Sequence, residues 1–326
     1  MSLDYHKAAR HLSGLVNKRP EVLIVCGSGL AHLSDSITNP IHVPYGDIPG
    51  FKVSTVQGHT GELVFGTMDG IEVVCMRGRF HFYEGYSMDQ VVFPIRVMRF
   101  MGCKLMIATN AAGGLNKDYE VGDIVSIQDH FGGGSSLFSS NPMRGKNDPS
   151  LGERFFPISN CYDEKLQEFA LDAAKELKIE NRLRSNGTYC YTVGPSYESM
   201  AECKFLRSVG GDCVGMSTIP EVLTAKHCGM KILVLSLVTN KAVFEKRKET
   251  AHASHEEVLA ASTQAGFHVQ AVVENCVTQA RIGAFLKDLP AAPFPQEAPP
   301  LLSKGVLANL VCTGMMFGAA MMATGK

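Results

Sequence analysis

The sequence predicts an α/β fold: a single domain over residues 1–289 with a mixed, largely twisted central β-sheet flanked by helices on both faces. Three observations carry that expectation. Apolar runs at residues 21–26, 71–76, 104–109 and 231–239 are rich in Val, Ile and Leu, and each is followed within two residues by Gly or Asn, as strands buried on both sides are. Segments with apolar residues at helical spacing separate these runs, so strands and helices alternate. Polar residues stand directly after strands, at Ser28, Arg79, His81, Asn110, Glu198, Ser217 and Asn240, which is where a sheet of this class keeps its ligands.

Composition narrows the partners. The 326 residues are 45% hydrophobic and carry 31 basic against 32 acidic side chains, for a formal net charge of -1. That balance gives no general electrostatic reason to bind nucleic acid or an acidic membrane, and no Lys/Arg cluster is long enough to act as a basic arm. Small-molecule partners are expected. The ten cysteines are scattered through apolar runs with no C-x-x-C, a usage that fits buried, reduced thiols in a cytoplasmic protein. Residues 1–19 are amphipathic and charged without an apolar core, so no secretory signal is read there.

In chain order, residues 5–17 place Ala8, Ala9, Leu12, Leu15 and Val16 at helical spacing, with Pro20 as the stop. Residues 21–26 (EVLIVC) read as a central strand, and Gly27-Ser28-Gly29-Leu30 as a tight turn opening a helix. Glycines flanking Ser28 let backbone N–H groups and its hydroxyl face one oxyanion at that helix N-terminus. A dinucleotide-binding turn would need a third glycine at position 32, where His32 stands, and no Walker-type sequence occurs, so a nicotinamide enzyme is set aside. Residues 62–67 and 71–76 form a hairpin through Asp69-Gly70, preceded by Gly58-His59, where His59 reads locally as a turn histidine.

Met88–Met101 is a buried helix despite Pro94, and residues 104–109 (KLMIAT) are a strand ending in Asn110-Ala111-Ala112-Gly113-Gly114. Those small residues let backbone amides approach a ligand closely. A strand over 123–130, a loose segment over 131–159 and a helix capped by Asp163 follow, then a strand over 187–193 that ends at Gly194-Pro195-Ser196-Tyr197-Glu198. A helix to about Val209, a short strand over 212–216, a helix to Cys228 and a strand over 231–239 ending at Asn240 complete the alternation. Ser254 and Glu257 form a capping box that opens a long helix from His255 to about Leu286.

The stretch Arg77-Gly-Arg-Phe-His-Phe-Tyr-Glu-Gly-Tyr86 joins cations to aromatic side chains. Two arginines near a histidine ordinarily make a solvated basic turn. Here Phe80, Phe82, Tyr83 and Tyr86 interleave with them, giving a wall that excludes water around an anion held by the guanidinium fork of Arg79 and by His81. The eleven histidines show no H-E-x-x-H or comparable ligand spacing, so no metal is expected.

These segments resemble the trimeric purine nucleoside phosphorylases of the animal type, from about Val22 to Leu289. The stretches that carry the resemblance are Cys26-Gly-Ser-Gly-Leu30, Gly58-His59, Gly78 to Tyr86, Thr109-Asn-Ala-Ala-Gly-Gly-Leu115, Gly194-Pro-Ser-Tyr-Glu198, Val214-Gly-Met-Ser-Thr218, Thr239-Asn-Lys241 and His255-Glu-Glu257, all in family order. The resemblance implies phosphorolysis of a purine nucleoside to free base and sugar 1-phosphate, with inorganic phosphate as co-substrate and no cofactor.

It implies phosphate contacts from Ser28, Arg79, His81, the Asn110-Ala111 backbone and Ser217, with His59 close by. Glu198 and Asn240 become the base-reading pair, flanked by Tyr197, with Asn240, Glu198 and His81 as the catalytic residues. Tyr83, Met216 and His255 become sugar contacts, and Phe155 an aromatic lent to a neighbouring subunit's site in a homotrimer. A carboxylate that accepts N1–H favours 6-oxopurines such as inosine and guanosine over adenosine, in keeping with a role in purine salvage. Residues 241–254 fall where the family has a mobile lid. Methylthioadenosine phosphorylases differ at the base-reading positions and are the alternative reading. A purine-binding protein without turnover, the other alternative, would have no use for Arg79 and His81.

Three departures stand out. Ala31 replaces a glycine common in the family, residues 131–140 exchange an apolar stretch for Gly-Gly-Gly-Ser-Ser, and a Pro/Ala-rich linker with a weakly apolar tail occupies 290–326. The tail's Asn309, Thr313 and glycines argue for a surface-docked or disordered segment over a membrane anchor.

Overall fold

The computed structural model describes residues 4–53, 60–132, 141–245 and 255–292, with His255 placed by its backbone alone. The expectations for His59, for residues 133–140, for the charged stretch 246–254 with its Ser254 cap, and for the tail beyond residue 292 lie outside the described residues. Among the described residues no helix is long and apolar enough to cross a membrane.

Nine strands among the described residues form one sheet: β1 (Val22–Cys26), β2 (Thr38–Pro44), β3 (Glu62–Met68), β4 (Ile71–Arg77), β5 (Leu105–Gly114), β6 (Ile124–Phe131), β7 (Leu183–Tyr191), β8 (Cys213–Gly215) and β9 (Lys231–Lys241). Their order is β2-β3-β4-β1-β5-β8-β7-β6-β9, and β9 also pairs with β5. β1 runs parallel to β4 and β5, and β5 parallel to β9, whereas β8 is antiparallel to β5 and β6 antiparallel to β9. The sheet is mixed, as expected. The second β5–β9 pairing curls five of its strands into a closed ring, which no local pattern announces.

Helices cover both faces because the central strands bury both. In β1, Leu23 and Val25 pack into a cluster with α1 (Tyr5–Val16), α2 (Met88–Met101) and α5 (Ile219–His227). Val22, Ile24 and Cys26 point the other way, into a cluster with α3 (Glu164–Glu176), α6 (His255–Cys276) and α7 (Ala284–Asp288), the period-2 alternation of a strand. Full burial of such a side chain contributes about 1.5–3 kcal/mol, so this one short strand ties the two clusters together. A third, small cluster under α4 (Met200–Ser208) joins Cys203 and Leu206 to Cys190 and Val214.

The hairpin turn expected at Asp69-Gly70 is present, with φ of 44° and 75°, the left-handed pair of a type I′ turn. Other expectations are corrected. α1 ends on Asn17 in the left-handed conformation, ahead of Pro20, and Leu15 is 53% exposed. The turn after β1 opens a 3-10 segment, Ala31–Ser36, and not an α-helix. β2 was not anticipated: it is an exposed edge strand containing Pro40 and Pro44, and prolines are tolerated only at such edges.

Asn110 to Gly114 and Asn240 do not follow their strands but belong to them, since β5 and β9 pair with each other as far as Gly114 and Lys241. The long C-terminal helix stops at Cys276, passes through a π turn, Gln279–Gly283, and resumes as α7. At the break Thr278 is extended, and the Asp69 carboxylate of the hairpin turn accepts the Gln279 N–H at 2.8 Å, capping the restart from a distant part of the chain.

Candidate active site

One crevice, about 650 Å³ counted out to its solvent mouth, gathers most of the residues singled out in the sequence. Ser28, Arg79, His81, Asn110, Ala111 and Ser217 line it together with Tyr83, Tyr197, Glu198, Met216 and Asn240. The convergence follows from topology. Because β8 is antiparallel to β5, pairing Val214 with Gly113, its exit doubles back and delivers Ser217 to the level of Asn110.

Arg79 is 1% exposed and held on several sides. Its Nε donates to Glu221 Oε1 at 3.1 Å, and its Nη1 donates to the Thr109 carbonyl at 2.9 Å and to Ser217 Oγ at 3.2 Å. Glu221, 2% exposed, was not anticipated. In sequence it is a first-turn acid of α5 beside Pro220, a place that a carboxylate takes simply to meet the helix dipole; the fold turns it inward.

Thr218 was also missed. It has φ 72° and ψ -52°, and the Ile219 N–H donates to the Ser217 carbonyl at 2.8 Å, the geometry of a strained γ-turn. Asn110 Nδ2 donates to Thr218 Oγ1 at 3.0 Å. The strained turn therefore fixes Ser217 and Asn110 together.

The two glycines around Ser28 are required for different reasons. At Gly29 φ is +75°, where L side chains are strained. At Gly27 the conformation is ordinary, but a Cβ would sit 2.7 Å from Asn110 Cα and 2.9 Å from the Thr109 carbonyl oxygen. Gly27→Ala is accordingly expected to push the turn away from β5, destabilising the protein by about 1–3 kcal/mol and lowering turnover. Urea unfolding and an activity assay check this, and a parental midpoint would contradict it.

His81 is buried; its amide donates to Glu84 Oε1 at 2.7 Å, and its Nδ1 lies 3.2 Å from the same oxygen. Burial lowers its pKa, Glu84 opposes that shift, and Arg79 adds to it. The ring is neutral near pH 7, with Nδ1–H directed at Glu84 and Nε2 therefore an acceptor. It stacks on Tyr83 with ring centroids 4.6 Å apart, and burial pushes the Tyr83 phenol up to about 12.

Glu198, also in the lining of the crevice, lies in the chain between β7 and α4. Its sequence could equally have made it a helix-start carboxylate, but Ser199 and Glu202 form the capping box of α4, which leaves Glu198 outside the helix and facing the crevice. Burial raises its pKa, while the Thr192 hydroxyl, donating to Oε1 at 2.8 Å, opposes the rise. Thr239 Oγ1 lies 3.3 Å from Asn240 Oδ1 and 3.4 Å from the Ala112 carbonyl, either of which can accept its one proton. A Cβ at Gly113 would come within 3.3 Å of Nδ2, so that glycine leaves the amide its room.

Phe155 does not reach this crevice; it is 85% exposed, in a separate surface depression with Arg154 and Ile158. His255 opens α6, and nothing is described of its side chain.

The family model described as the phosphorylase superfamily matches residues 21–278. A purine nucleoside phosphorylase of Rattus norvegicus is 45% identical over 262 residues, 80% of this chain and 90% of that protein. The chain belongs to the purine nucleoside phosphorylases of the animal type.

Solved purine nucleoside phosphorylases share the fold. The Schistosoma mansoni enzyme in complex with inosine superposes with a TM-score of 0.78 at 42% identity, covering 88% of this chain and 96% of that one. The complex of the Schistosoma mansoni enzyme with adenosine gives 0.77 at 41% identity, covering 88% and 97%. As a purine nucleoside phosphorylase, this chain is an enzyme whose small-molecule partners are purines.

Proposed function

We propose that the enzyme cleaves the N-glycosidic bond of 6-oxopurine ribonucleosides and deoxyribonucleosides, inosine and guanosine above all, with inorganic phosphate as the nucleophile. The observation that carries this reading is that Arg79, hydrogen-bonded to Ser217, lines the same crevice as Glu198 and Asn240, which suits the first pair to an anion and the second to a base. Arg79, Ser28, Ser217 and the Asn110-Ala111 backbone hold phosphate beneath C1′ through charge-assisted and amide donors. Neutral His81 accepts the remaining P–O–H of hydrogenphosphate through Nε2.

The C1′–N9 bond breaks through an oxocarbenium-like state in which positive charge grows on the ribose and negative charge on the departing base. Asn240 Nδ2 donates to N7 as that charge accumulates, and Glu198 accepts from N1–H, and from the 2-amino group of guanine. Tyr83, Met216 and His255 hold the sugar, and Tyr197 flanks the base. Phosphate supplies the new bond to C1′, so the chemistry calls for no cofactor. The exposed Phe155 supports a homotrimer in which each subunit lends this ring to the next site, and the scattered cysteines support a cytoplasmic enzyme of purine salvage.

The test is purified protein with inosine and phosphate, followed by absorbance for hypoxanthine and by assay for ribose 1-phosphate in equal amount. Release at the same rate without phosphate would make the protein a hydrolase, and no product at all would leave only a purine binder. Asn240→Asp is expected to lower kcat/KM for inosine by about 10- to 100-fold, since an acceptor replaces the donor at N7. The adenosine-to-inosine ratio should rise, because a carboxylate there can accept from the 6-amino group. An unchanged ratio would remove Asn240 from the base contacts.

A further inference from the structure

We infer that Thr192 is a specificity-determining residue, whose hydroxyl holds Glu198 as a carboxylate that offers the base acceptor oxygens only. The inference rests on the reading above in which Glu198 meets N1 of the purine.

Thr192 is the first residue after β7, and its amide donates to the Gly215 carbonyl at 3.0 Å, which locks its backbone against the end of β8. From that fixed point its hydroxyl donates to Glu198 Oε1 at 2.8 Å. Glu198 lines the crevice, and Thr192 is not among the lining residues, so the hydroxyl is argued to act on the base through Glu198 and not by touching it.

The other titratable groups around the carboxylate do not do this work. Glu202 of α4 is a like charge that disfavours ionisation of Glu198. Tyr197 and the thiols Cys190 of β7 and Cys203 of α4 all have raised pKa values and stay neutral. Burial pushes the Glu198 carboxyl up, and the groups that oppose this are hydrogen bonds, the Thr192 hydroxyl first and the Glu198 backbone second. A hydroxyl donated to a carboxylate favours its ionised form.

The protonation state decides which purine fits. An ionised Glu198 accepts the N1–H of hypoxanthine or guanine, but adenine presents an unprotonated N1, so two acceptors would face each other in a half-buried site. A protonated Glu198 would donate to that N1. By keeping the proton off, Thr192 makes adenosine the poorer substrate, and only one hydroxyl distinguishes it from a valine of the same shape.

The experiment compares Thr192→Val, Thr192→Ser and Glu198→Gln with the parent, measuring kcat/KM for inosine and adenosine across pH at saturating phosphate. Thr192→Val is expected to lower the inosine-to-adenosine ratio about tenfold, as befits one hydrogen bond to a charged group. Because the inosine reaction uses the ionised carboxylate, and losing the donor raises the Glu198 pKa, the acidic limb of its profile should move up by about one pH unit. Thr192→Ser should restore both.

A Thr192→Val variant that shifts neither readout, or only one of them, while Glu198→Gln alters the ratio would overturn this inference and leave the base contact standing. If Glu198→Gln also keeps the parental ratio, the base contact itself falls and this inference with it.

Discussion

Glu198→Ala is expected to lower kcat/KM by about 100-fold for inosine and about tenfold further for guanosine. The asymmetry follows from counting bonds. Hypoxanthine offers this carboxylate one N–H, at N1, whereas guanine offers N1–H and the 2-amino group, and each hydrogen bond to a charged group contributes about 1.5–3 kcal/mol. The KM for phosphate should stay within about twofold of the parent, because Arg79 and Ser217 are positioned through Glu221, Thr109 and Thr218, none of which depends on Glu198. Steady-state kinetics on the two nucleosides check both statements. Equal losses for inosine and guanosine would mean that Glu198 supports the fold of the crevice and does not read the 2-amino edge.

The part of this picture that was legible in the sequence is the part set by local pattern. Runs such as EVLIVC and KILVLSLVT could only be central strands, and Asp69-Gly70 could only be a tight hairpin turn, because their residue types leave the backbone few alternatives. That Ser28, Arg79, Glu198 and Asn240 share one crevice was foreshadowed by their places at strand ends punctuated by Gly and Asn, whereas the base-reading roles of Glu198 and Asn240 were only what the family resemblance implied.

What escaped was set by distant parts of the chain. The restart after the break between α6 and α7 is capped by the carboxylate of Asp69, more than 200 residues earlier. β2 has prolines and an exposed pattern that only an edge can tolerate. Thr192, Thr218 and Glu221 look like ordinary polar residues beside a strand or in a first helical turn, and their roles appear only once β8 doubles back along β5. Which side chains brace Arg79, Asn110 and Glu198 is a property of topology, and periodicity carries no record of it.

That bracing can be tested where it is most deeply buried, at the Arg79–Glu221 pair. Glu221→Ala is expected to destabilise the protein by about 3–5 kcal/mol, because removal of one partner of a buried ion pair leaves the other as an uncompensated charge. Arg79 and Glu221 side chains are 1% and 3% exposed, so water cannot take over the lost contact. The bonds from Arg79 Nη1 to the Thr109 carbonyl and the Ser217 hydroxyl orient the guanidinium without neutralising it.

Glu221→Gln keeps an acceptor oxygen for Nε and removes only the charge, so its loss should be smaller, and the difference between the two variants measures what geometry alone contributes. Urea unfolding at a fixed protein concentration is the measurement, since any self-association would otherwise shift the midpoint. If the Ala variant unfolded at the parental midpoint, the guanidinium would have to be finding its counter-charge by moving, and an arginine free to move could not be the fixed donor on which phosphate binding is argued to rest.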